Sequence, residues 1–189
     1  RSSRKNRREC GDDYIFANKG YDTIIGGPGD DTLHGNVRND QLKGSSGNDL
    51  IYGNNDDDTL QGEGGNDELH GGSGIDEMHG GNDNDTLYGD TDSDQLFGGH
   101  GDDKMTGSSG KEVFIPSKGR DIITDFDINQ DDIGLVYALD LTFKQIGNDL
   151  QINGNDGVNT LLRNIEKDDF LTNFPDNLFD AAAVEVTLI

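Results

Sequence analysis

A nine-residue repeat runs through residues 11–115 and constrains the fold more than any other feature of the chain. The blocks that begin at Gly26 and Gly35 read GGPGDDTLH and GNVRNDQLK, and the next two read GSSGNDLIY and GNNDDDTLQ. Each block opens with glycine, carries aspartate at its sixth position and has leucine or isoleucine at its eighth. A fixed period of this kind is typical of a solenoid, in which each repeat packs only on its neighbours.

The sixth and eighth positions keep their phase through twelve blocks without an insertion. The sixth position is acidic throughout: Asp13, Asp22, Asp31, Asp40, Asp49, Asp58, Asp67, Asp76, Asp85, Asp94, Asp103 and Glu112. The eighth position is apolar throughout: Ile15, Ile24, Leu33, Leu42, Ile51, Leu60, Leu69, Met78, Leu87, Leu96, Met105 and Phe114. Because neighbouring residues of a strand point to opposite faces, the eighth position is predicted to face inward and the seventh and ninth outward. Stacking of alternate blocks then gives two inward rows.

The composition indicates that the apolar core alone cannot stabilise such a solenoid. Only 30% of the residues are hydrophobic, 28 are glycine, and the net charge is −23. Glycine is costly to order, and low hydrophobicity with high charge is otherwise a mark of disorder. Stacked carboxylates about 5 Å apart also repel one another. Since Ca²⁺ takes about 6–8 oxygen ligands in flexible geometry, calcium between adjacent loops would remove this repulsion.

Charge and motif content exclude several other functions. The pI near 4.1 disfavours nucleic acid and anionic membranes as partners, because those surfaces require lysine and arginine. The single cysteine, Cys10, allows neither an internal disulfide nor a CxxC metal site. No apolar run is long enough for a membrane span, and the motifs HExxH, GxSxG and Walker A are absent. We therefore expect no enzyme within this chain, although a catalytic domain N-terminal to it remains an open alternative.

The blocks resemble the nonapeptide G-G-x-G-x-D-x-U-x of RTX calcium-binding proteins, in which U is a large apolar residue. The resemblance implies an all-β fold, namely a parallel β-roll, a right-handed β-solenoid with two nonapeptides per turn. Positions one to six would form a loop and positions seven to nine a short strand. It also implies Ca²⁺ as the cofactor, at about seven to ten sites.

The same resemblance implies the ligands. One loop would give its sixth-position carboxylate and the carbonyls of positions one and three, and the loop eighteen residues later its own carboxylate and the carbonyls of positions two and four. The carboxylate ligands are then Asp31, Asp40, Asp49, Asp58, Asp67, Asp76, Asp85, Asp94 and Asp103. They pair as Asp31–Asp49, Asp49–Asp67, Asp67–Asp85 and Asp85–Asp103 on one edge, and as Asp40–Asp58, Asp58–Asp76 and Asp76–Asp94 on the other. The residues assigned to the metal-binding loops are Gly26, Pro28, Gly44, Ser45, Ser46, Gly47, Gly53, Asn54, Asn55, Asp56, Gly62, Glu63, Gly64, Gly65, Gly71, Gly72, Ser73, Gly74, Gly80, Gly81, Asn82, Asp83, Asp90, Asp92, Gly99 and Gly101.

Two departures from the pattern weaken particular sites. Arg38 stands at a fourth position where glycine is expected. We expect arginine not to adopt a left-handed conformation there, and its charge disfavours a site between Asp22 and Asp40. Glutamate in place of aspartate similarly weakens a site between Asp94 and Glu112.

The residues outside the repeat divide into two segments. Residues 1–10 are basic and are predicted to be a linker or tag-like segment. The nine-residue phase breaks at Pro116, and residues 116–189 are predicted to form a small C-terminal β cap. Within it, GRDIITDFDINQDDIGLVY alternates like paired strands, and a hairpin is predicted around Gly154 to Gly157. The final DAAAVEVTLI resembles the uncleaved signal of type I secretion; an ordinary terminal strand is the alternative.

An aromatic row occupies ninth positions on the outer surface: Phe16, His34, Tyr52, His70 and Tyr88. We interpret it as a ladder that stabilises neighbouring strands, with stacking on sugar rings as the alternative.

These observations favour a calcium-binding module that folds on Ca²⁺ after export and stabilises or presents a type I-secreted bacterial protein. Its expected location is extracellular, and its expected partners are calcium, the type I secretion machinery during export and an N-terminal domain. The alternative is a polysaccharide-binding module of a secreted carbohydrate-active enzyme.

Overall fold

The computed structural model describes residues 5–7, 10–134, 140–154, 158–165 and 185–188. Within these ranges all regular structure is β-strand. No helix long and apolar enough to cross a lipid bilayer occurs in them. The strands are β1 (Lys5–Arg7), β2 (Tyr14–Phe16), β3 (Thr23–Pro28), β4 (Thr32–Val37), β5 (Gln41–Ser46), β6 (Leu50–Asn55), β7 (Thr59–Gly64), β8 (Glu68–Ser73), β9 (Glu77–Asn82), β10 (Thr86–Thr91), β11 (Gln95–His100), β12 (Lys104–Thr106), β13 (Val113–Ile115), β14 (Gly119–Ile123), β15 (Asp132–Ile133), β16 (Asp140–Ile146), β17 (Asp149–Gly154), β18 (Val158–Leu162) and β19 (Glu185–Leu188).

The strands alternate between two sheets, as a repeat with two nonapeptides per turn requires. The first sheet has the order β1-β3-β5-β7-β9-β11-β13-β15, and the second runs from β2 through the even strands to β14 and then into the C-terminal strands. Neighbours within the repeat are parallel and offset by eighteen residues, so that Leu33 pairs with Ile51 and Leu42 pairs with Leu60. The chain therefore forms a β-solenoid of about seven turns, and the predicted all-β parallel roll is confirmed.

The strands are longer than the sequence predicts. Most of them cover six residues, from the seventh position of one block to the third position of the next. Gly27 and Pro28, at the second and third positions, pair with Ser45 and Ser46 on the next turn. The prediction that positions one to six form a loop is therefore wrong for the first three positions. Parallel pairing continues through them because each block has an identical neighbour one turn away.

Eighth-position side chains fill the interior between the sheets, as predicted. From Leu33 to Phe114 each is at most 1% exposed. The seventh and ninth positions of the same strands remain partly or fully exposed. The core is thus two stacked rows of single side chains, which is thin for a structure of this length.

The solenoid continues past Pro116, where the sequence prediction ended it. Strand β14 pairs with β12 at the same eighteen-residue offset, so that Lys104 lies beside Ile122. Strand β15 pairs with β13 at an offset of nineteen, so that Phe114 lies beside Ile133. The paired-strand interpretation of this stretch is wrong, because β14 and β15 belong to different sheets. Proline replaced only the first-position glycine and left the later positions of the block in phase.

A meander covers the C-terminal end of the core. Strands β16, β17 and β18 are antiparallel, and β18 pairs in parallel with β14. The predicted hairpin is confirmed by the pairing of Asn153 with Asn159, while residues 155–157 of its turn lie outside the described residues. Leu150, Ile152 and Leu162 are buried and extend the apolar interior. Of the predicted secretion signal, residues 185–188 form β19 beside β16, and the remainder lies outside the described residues.

We expect truncation of one core side chain to destabilise the roll measurably. Leu69→Ala in saturating calcium should lower the free energy of unfolding by about 2–5 kcal/mol, because a fully buried leucine leaves a cavity. Glu68→Ala, on the outer face of the same strand, is the matched control and should change stability by less than about 1 kcal/mol. Urea unfolding followed by circular dichroism measures both. Equal losses in the two variants would contradict the inward assignment of the eighth position.

Candidate metal site

The sixth-position carboxylates are buried, which is unusual for charged groups. From Asp31 to Asp103 each aspartate is at most 3% exposed. Each side chain lies immediately before a strand and faces the interior of its loop, because the strand that follows places its eighth-position residue in the core. Charged side chains are almost never buried to this degree unless they are paired.

One oxygen of each carboxylate joins adjacent turns. The N–H of Asp31 donates to Oδ1 of Asp49 at 2.8 Å, and the N–H of Asp58 donates to Oδ1 of Asp76 at 2.7 Å. The same bond links all seven predicted aspartate pairs, at 2.6–2.9 Å. The structure therefore brings together every pair that the repeat predicts.

The other carboxylate oxygen of each aspartate is buried and has no hydrogen-bond partner. The Oδ2 atoms concerned are those of Asp31, Asp40, Asp49, Asp58, Asp67, Asp76, Asp85, Asp94 and Asp103, and Oε1 of Glu112 behaves in the same way. Buried polar atoms are nearly always hydrogen-bonded, so this row of exceptions marks acceptors that a cation would satisfy. These are the oxygens that the predicted calcium sites use, so the residues present fit the ion.

Burial raises the pKa of these carboxyl groups. It raises the pKa of Asp58, Asp85 and Asp94 to about 8, against the opposing effect of the backbone N–H bond to each carboxylate. The pKa of Asp49 rises to about 7, for the same main reason. Neighbouring acids add to the shift, since Asp58 also faces Asp40 and Asp76. The charged form of the row is therefore costly unless cations balance it.

Glycine at the first position keeps space beside each carboxylate. A Cβ added to Gly53 would lie 2.6 Å from Oδ2 of Asp58 and 2.6 Å from the carbonyl oxygen of Gly71 on the next turn. Any side chain would fill the space between these two oxygens. The glycine thus leaves a carboxylate oxygen and a first-position carbonyl oxygen of the next turn close together, and both are oxygens of the kind that calcium binds. The ligand set that the resemblance implies does not include this carbonyl.

The second and fourth positions adopt left-handed conformations, and several of them are not glycine. Ser45 has φ of 102° and Asp56 has φ of 73°. The expectation that Arg38 would not adopt this conformation is wrong, because its φ is 85° and its N–H donates to Oδ2 of Asp56 at 2.9 Å. Asp22 and Asp40 are correspondingly joined by the usual bond, at 2.6 Å.

The available metal ligands also agree with the combination of carboxylates and backbone carbonyls that the resemblance implies. Within the described part of the chain, no three His, Cys, Asp or Glu side chains converge to hold a metal. Each pair of turns supplies two carboxylates, so the remaining ligands of an ion would be backbone carbonyls of the predicted loop residues. Within the described ranges the series of sixth-position bonds on this edge stops at Asp94, and the weaker site expected between Asp94 and Glu112 stays a prediction.

The sequence reasoning missed a second ladder on one edge of the roll. At the fifth position, the N–H of Asn48 donates to Oδ1 of Asp30 at 2.7 Å, and the N–H of Asn66 donates to Oδ1 of Asn48 at 2.8 Å. The series extends from Asp12 to Arg120. The signal was present as Asp or Asn at every eighteenth residue. This ladder runs opposite to that of the sixth position, because here the later turn donates.

The outer aromatic row is a continuous stack. Ring centroids from Phe16 through His34, Tyr52 and His70 to Tyr88 are 4.6–4.9 Å apart, and successive planes differ by 7–17°. The ladder interpretation is therefore confirmed. Each ring face between the two ends is covered by the next ring, which leaves mainly ring edges for solvent.

A family model for the RTX calcium-binding nonapeptide repeat matches the chain in four copies, at residues 11–42, 34–69, 43–78 and 79–111. Together the copies cover more than half of the chain and include every sixth-position aspartate from Asp13 to Asp103. No curated protein matches the chain.

We expect the calcium-free roll to be more stable in mild acid than at neutral pH. The unfolded pKa of aspartate is about 3.9, and burial raises that of Asp58, Asp85 and Asp94 to about 8 in the roll. Between these values the folded state binds more protons than the unfolded state, so its stability is lost as the pH rises. In calcium-depleted buffer, the β signal in circular dichroism should be larger at about pH 5.5 than at about pH 8. A signal that grows with pH would contradict the buried row.

We expect the first-position glycines to be indispensable. Gly62→Ala would bring a Cβ within 2.6 Å of the Gly80 carbonyl and even closer to Oδ2 of Asp67, so it should raise the calcium concentration for half-folding several-fold. Gly64→Ala, two residues on, meets only the Ser45 carbonyl at 3.7 Å and is the matched control. Calcium titration followed by circular dichroism compares them. A normal midpoint for Gly62→Ala would rule out the cavity beside the carboxylate as a metal site.

Proposed function

The chain belongs to the family defined by the RTX calcium-binding nonapeptide repeat and is a calcium-binding RTX module; from this we propose that it folds on calcium after export and stabilises or presents a type I-secreted protein. The observation that carries the proposal is the row of buried carboxylate oxygens without hydrogen-bond partners. A fold built around this row depends on cations for its stability, so the calcium concentration decides whether the chain is folded.

The residues of the chain prepare each site without the ion. Oδ1 of each aspartate is held by an N–H of the preceding turn, which fixes the carboxylate between two loops. First-position glycines keep side chains out of the space beside Oδ2. Bound calcium would supply positive charge that offsets the repulsion between successive turns. Because each inner aspartate contacts both neighbouring turns, occupation of one site favours order in the next, as expected for a linear repeat.

The calcium gradient across a cell envelope suits this behaviour. Extracellular calcium modules have dissociation constants of about 10⁻⁴–10⁻³ M, near the calcium concentration outside cells and far above that of the cytosol. At a calcium concentration of about ten times the dissociation constant, each site contributes roughly 1.4 kcal/mol. Seven sites together contribute about 10 kcal/mol, which is comparable to the whole free energy of unfolding of a typical domain. We propose that the chain is unfolded in the cytosol, passes through the type I secretion machinery and folds outside.

The C-terminal residues are the proposed export signal, on the strength of their resemblance to such signals alone. An N-terminal catalytic domain belongs to the same proposal, with the roll acting as its non-catalytic module. Polysaccharide binding through the aromatic row has less support, because the rings stack on one another and their faces are not free to stack on sugars.

We expect calcium titration to give a cooperative transition. In EGTA at about pH 7.5 the chain should have the circular dichroism of an unfolded chain, because keeping the row protonated at that pH costs stability relative to the unfolded chain, whose aspartates are ionised. In about 10 mM Ca²⁺ it should show a β spectrum, with a Hill coefficient well above 1. The same concentration of Mg²⁺ should fail, because that ion demands a small octahedral site. An identical β spectrum in EGTA and calcium would refute calcium-dependent folding.

A further inference from the structure

The two ends of the second sheet are closed differently. At the C-terminal end, β14 pairs with the cap strand β18, and the meander continues the sheet. At the N-terminal end, β2 pairs with β4 on one side, and no described strand pairs with its other side. An edge strand of this kind offers unpaired backbone groups to an extended chain that reaches it.

Two residues of β2 direct their backbone groups toward this open side. The carbonyl of Asp13 accepts an N–H of β4 at 2.8 Å, and the N–H of Ala17 donates to a carbonyl of β4 at 2.8 Å. Because alternate residues of a strand bond to opposite sides, these odd-numbered positions face β4, and Tyr14 and Phe16 face away from it. Two N–H and two C=O groups are therefore in place to bond one further strand.

The aromatic stack is also open at this end. The ring of Phe16 stacks on His34 with centroids 4.6 Å apart, and Tyr14 meets Phe16 edge to face at 4.9 Å. Phe16 is 49% exposed and Tyr14 is 61% exposed. At the opposite end of the stack, Nζ of Lys104 lies 5.9 Å from the centroid of the Tyr88 ring. Among the described residues no cation or stacked ring covers the outer side of Phe16, so a strand added to β2 would meet an aromatic surface.

The charge of this end favours an acidic strand. Residues 1–16 contain five basic and three acidic residues, whereas residues 17–189 contain ten basic and 35 acidic. Strand β1, which belongs to the basic segment, pairs with β3 and so lies at the same end of the roll as β2. An acidic strand would be attracted to this end. A second copy of the chain bound through the same end is disfavoured, because it would bring two basic segments together.

We propose that the free edge of β2 binds an acidic extended segment of the domain that the roll presents. The segment adds one strand to the sheet and places an aromatic side chain against Phe16. This inference rests on the presenting function proposed above and gives that function a surface. Strand addition supplies affinity through backbone hydrogen bonds, and the side-chain contact supplies specificity. Because β2 forms only in the folded roll, the calcium that folds the roll also creates this surface, and the segment docks after export.

A synthetic peptide with the sequence of residues 47–55, GNDLIYGNN, is the probe, because it is acidic and forms strand β6 within the roll. The full chain in about 10 mM Ca²⁺ should bind the fluorescein-labelled peptide, as measured by fluorescence anisotropy. Phe16→Ala should weaken binding several-fold, since it removes one ring of an aromatic pair. Tyr88→Ala, which removes the ring at the opposite end of the stack, is the matched control and should bind as the unmodified chain does. The peptide with Asp49→Lys should also bind more weakly, because it reverses the charge.

A chain that folds in calcium but does not bind the peptide would overturn the surface and leave calcium-dependent folding intact. Equal affinities of Phe16→Ala and the unmodified chain would overturn it as well. A chain that does not fold in calcium would instead refute the function on which the inference rests.

Two further measurements on the unmodified chain decide the matter if Phe16→Ala does not fold. Peptide-induced changes in the NMR amide signals should be confined to β2 and its neighbours, and changes confined to other strands would overturn the surface. Sedimentation of the chain alone in calcium should show a monomer. A dimer that the peptide dissociates would assign the edge to a second copy and overturn the proposal.

Discussion

The fold buries a row of carboxylate groups, and the protein's own N–H groups hydrogen-bond only one of the two oxygens of each. From Asp31 to Asp103, one oxygen of each sixth-position aspartate accepts an N–H from the preceding turn, and the other has no hydrogen-bond partner within the described residues. An ordinary domain avoids such groups because they cost stability. Here they recur every eighteen residues on each edge, and the apolar core of two single rows is too thin to offset them. These buried oxygens fit the calcium that the RTX repeat binds.

Much of the fold could be predicted because a strict period determines both neighbours and faces. The phase of Leu33 and Asp31 fixed which side chains are in the core and which carboxylates meet across turns, and the structure agrees. Two predictions were wrong because each inferred the backbone conformation from the type of a single residue. Arg38 is left-handed because Asp56 of the next turn accepts its N–H, and the roll passes Pro116 because the pairing of β12 with β14 does not involve that residue. Both outcomes depend on contacts eighteen residues away, which local preferences do not include.

The sequence predicted which carboxylates form the site, but not all of the hydrogen bonds that hold them in place. Carboxylates at a fixed phase are visible in the sequence, whereas hydrogen bonds between fifth-position residues become apparent only once the turns are stacked. On that edge the fifth-position N–H donates backward along the roll and the sixth-position N–H donates forward. These opposed bonds hold two consecutive peptide groups, one to each neighbouring turn, and this limits movement of the adjoining carboxylate. The aromatic stack restrains the outer face of the same strands in the same repeating way.

The manner in which the roll ends shows that the unsatisfied oxygens are a feature of the repeat and not a general tolerance of this chain for buried charge. Beyond the last repeats, Asp121 and Asp131 occupy the same buried position in the two rows. Each still accepts the N–H of the preceding turn, but its second oxygen accepts the N–H of Ser117 or Asp127 from its own loop. A loop outside the repeat therefore supplies a second backbone N–H donor to its carboxylate, which the glycine-rich loops of the repeat do not. The two kinds of loop differ by one hydrogen bond per carboxylate. In the repeat the second oxygen is left without a donor, and at the end of the roll a backbone N–H of the same loop binds it.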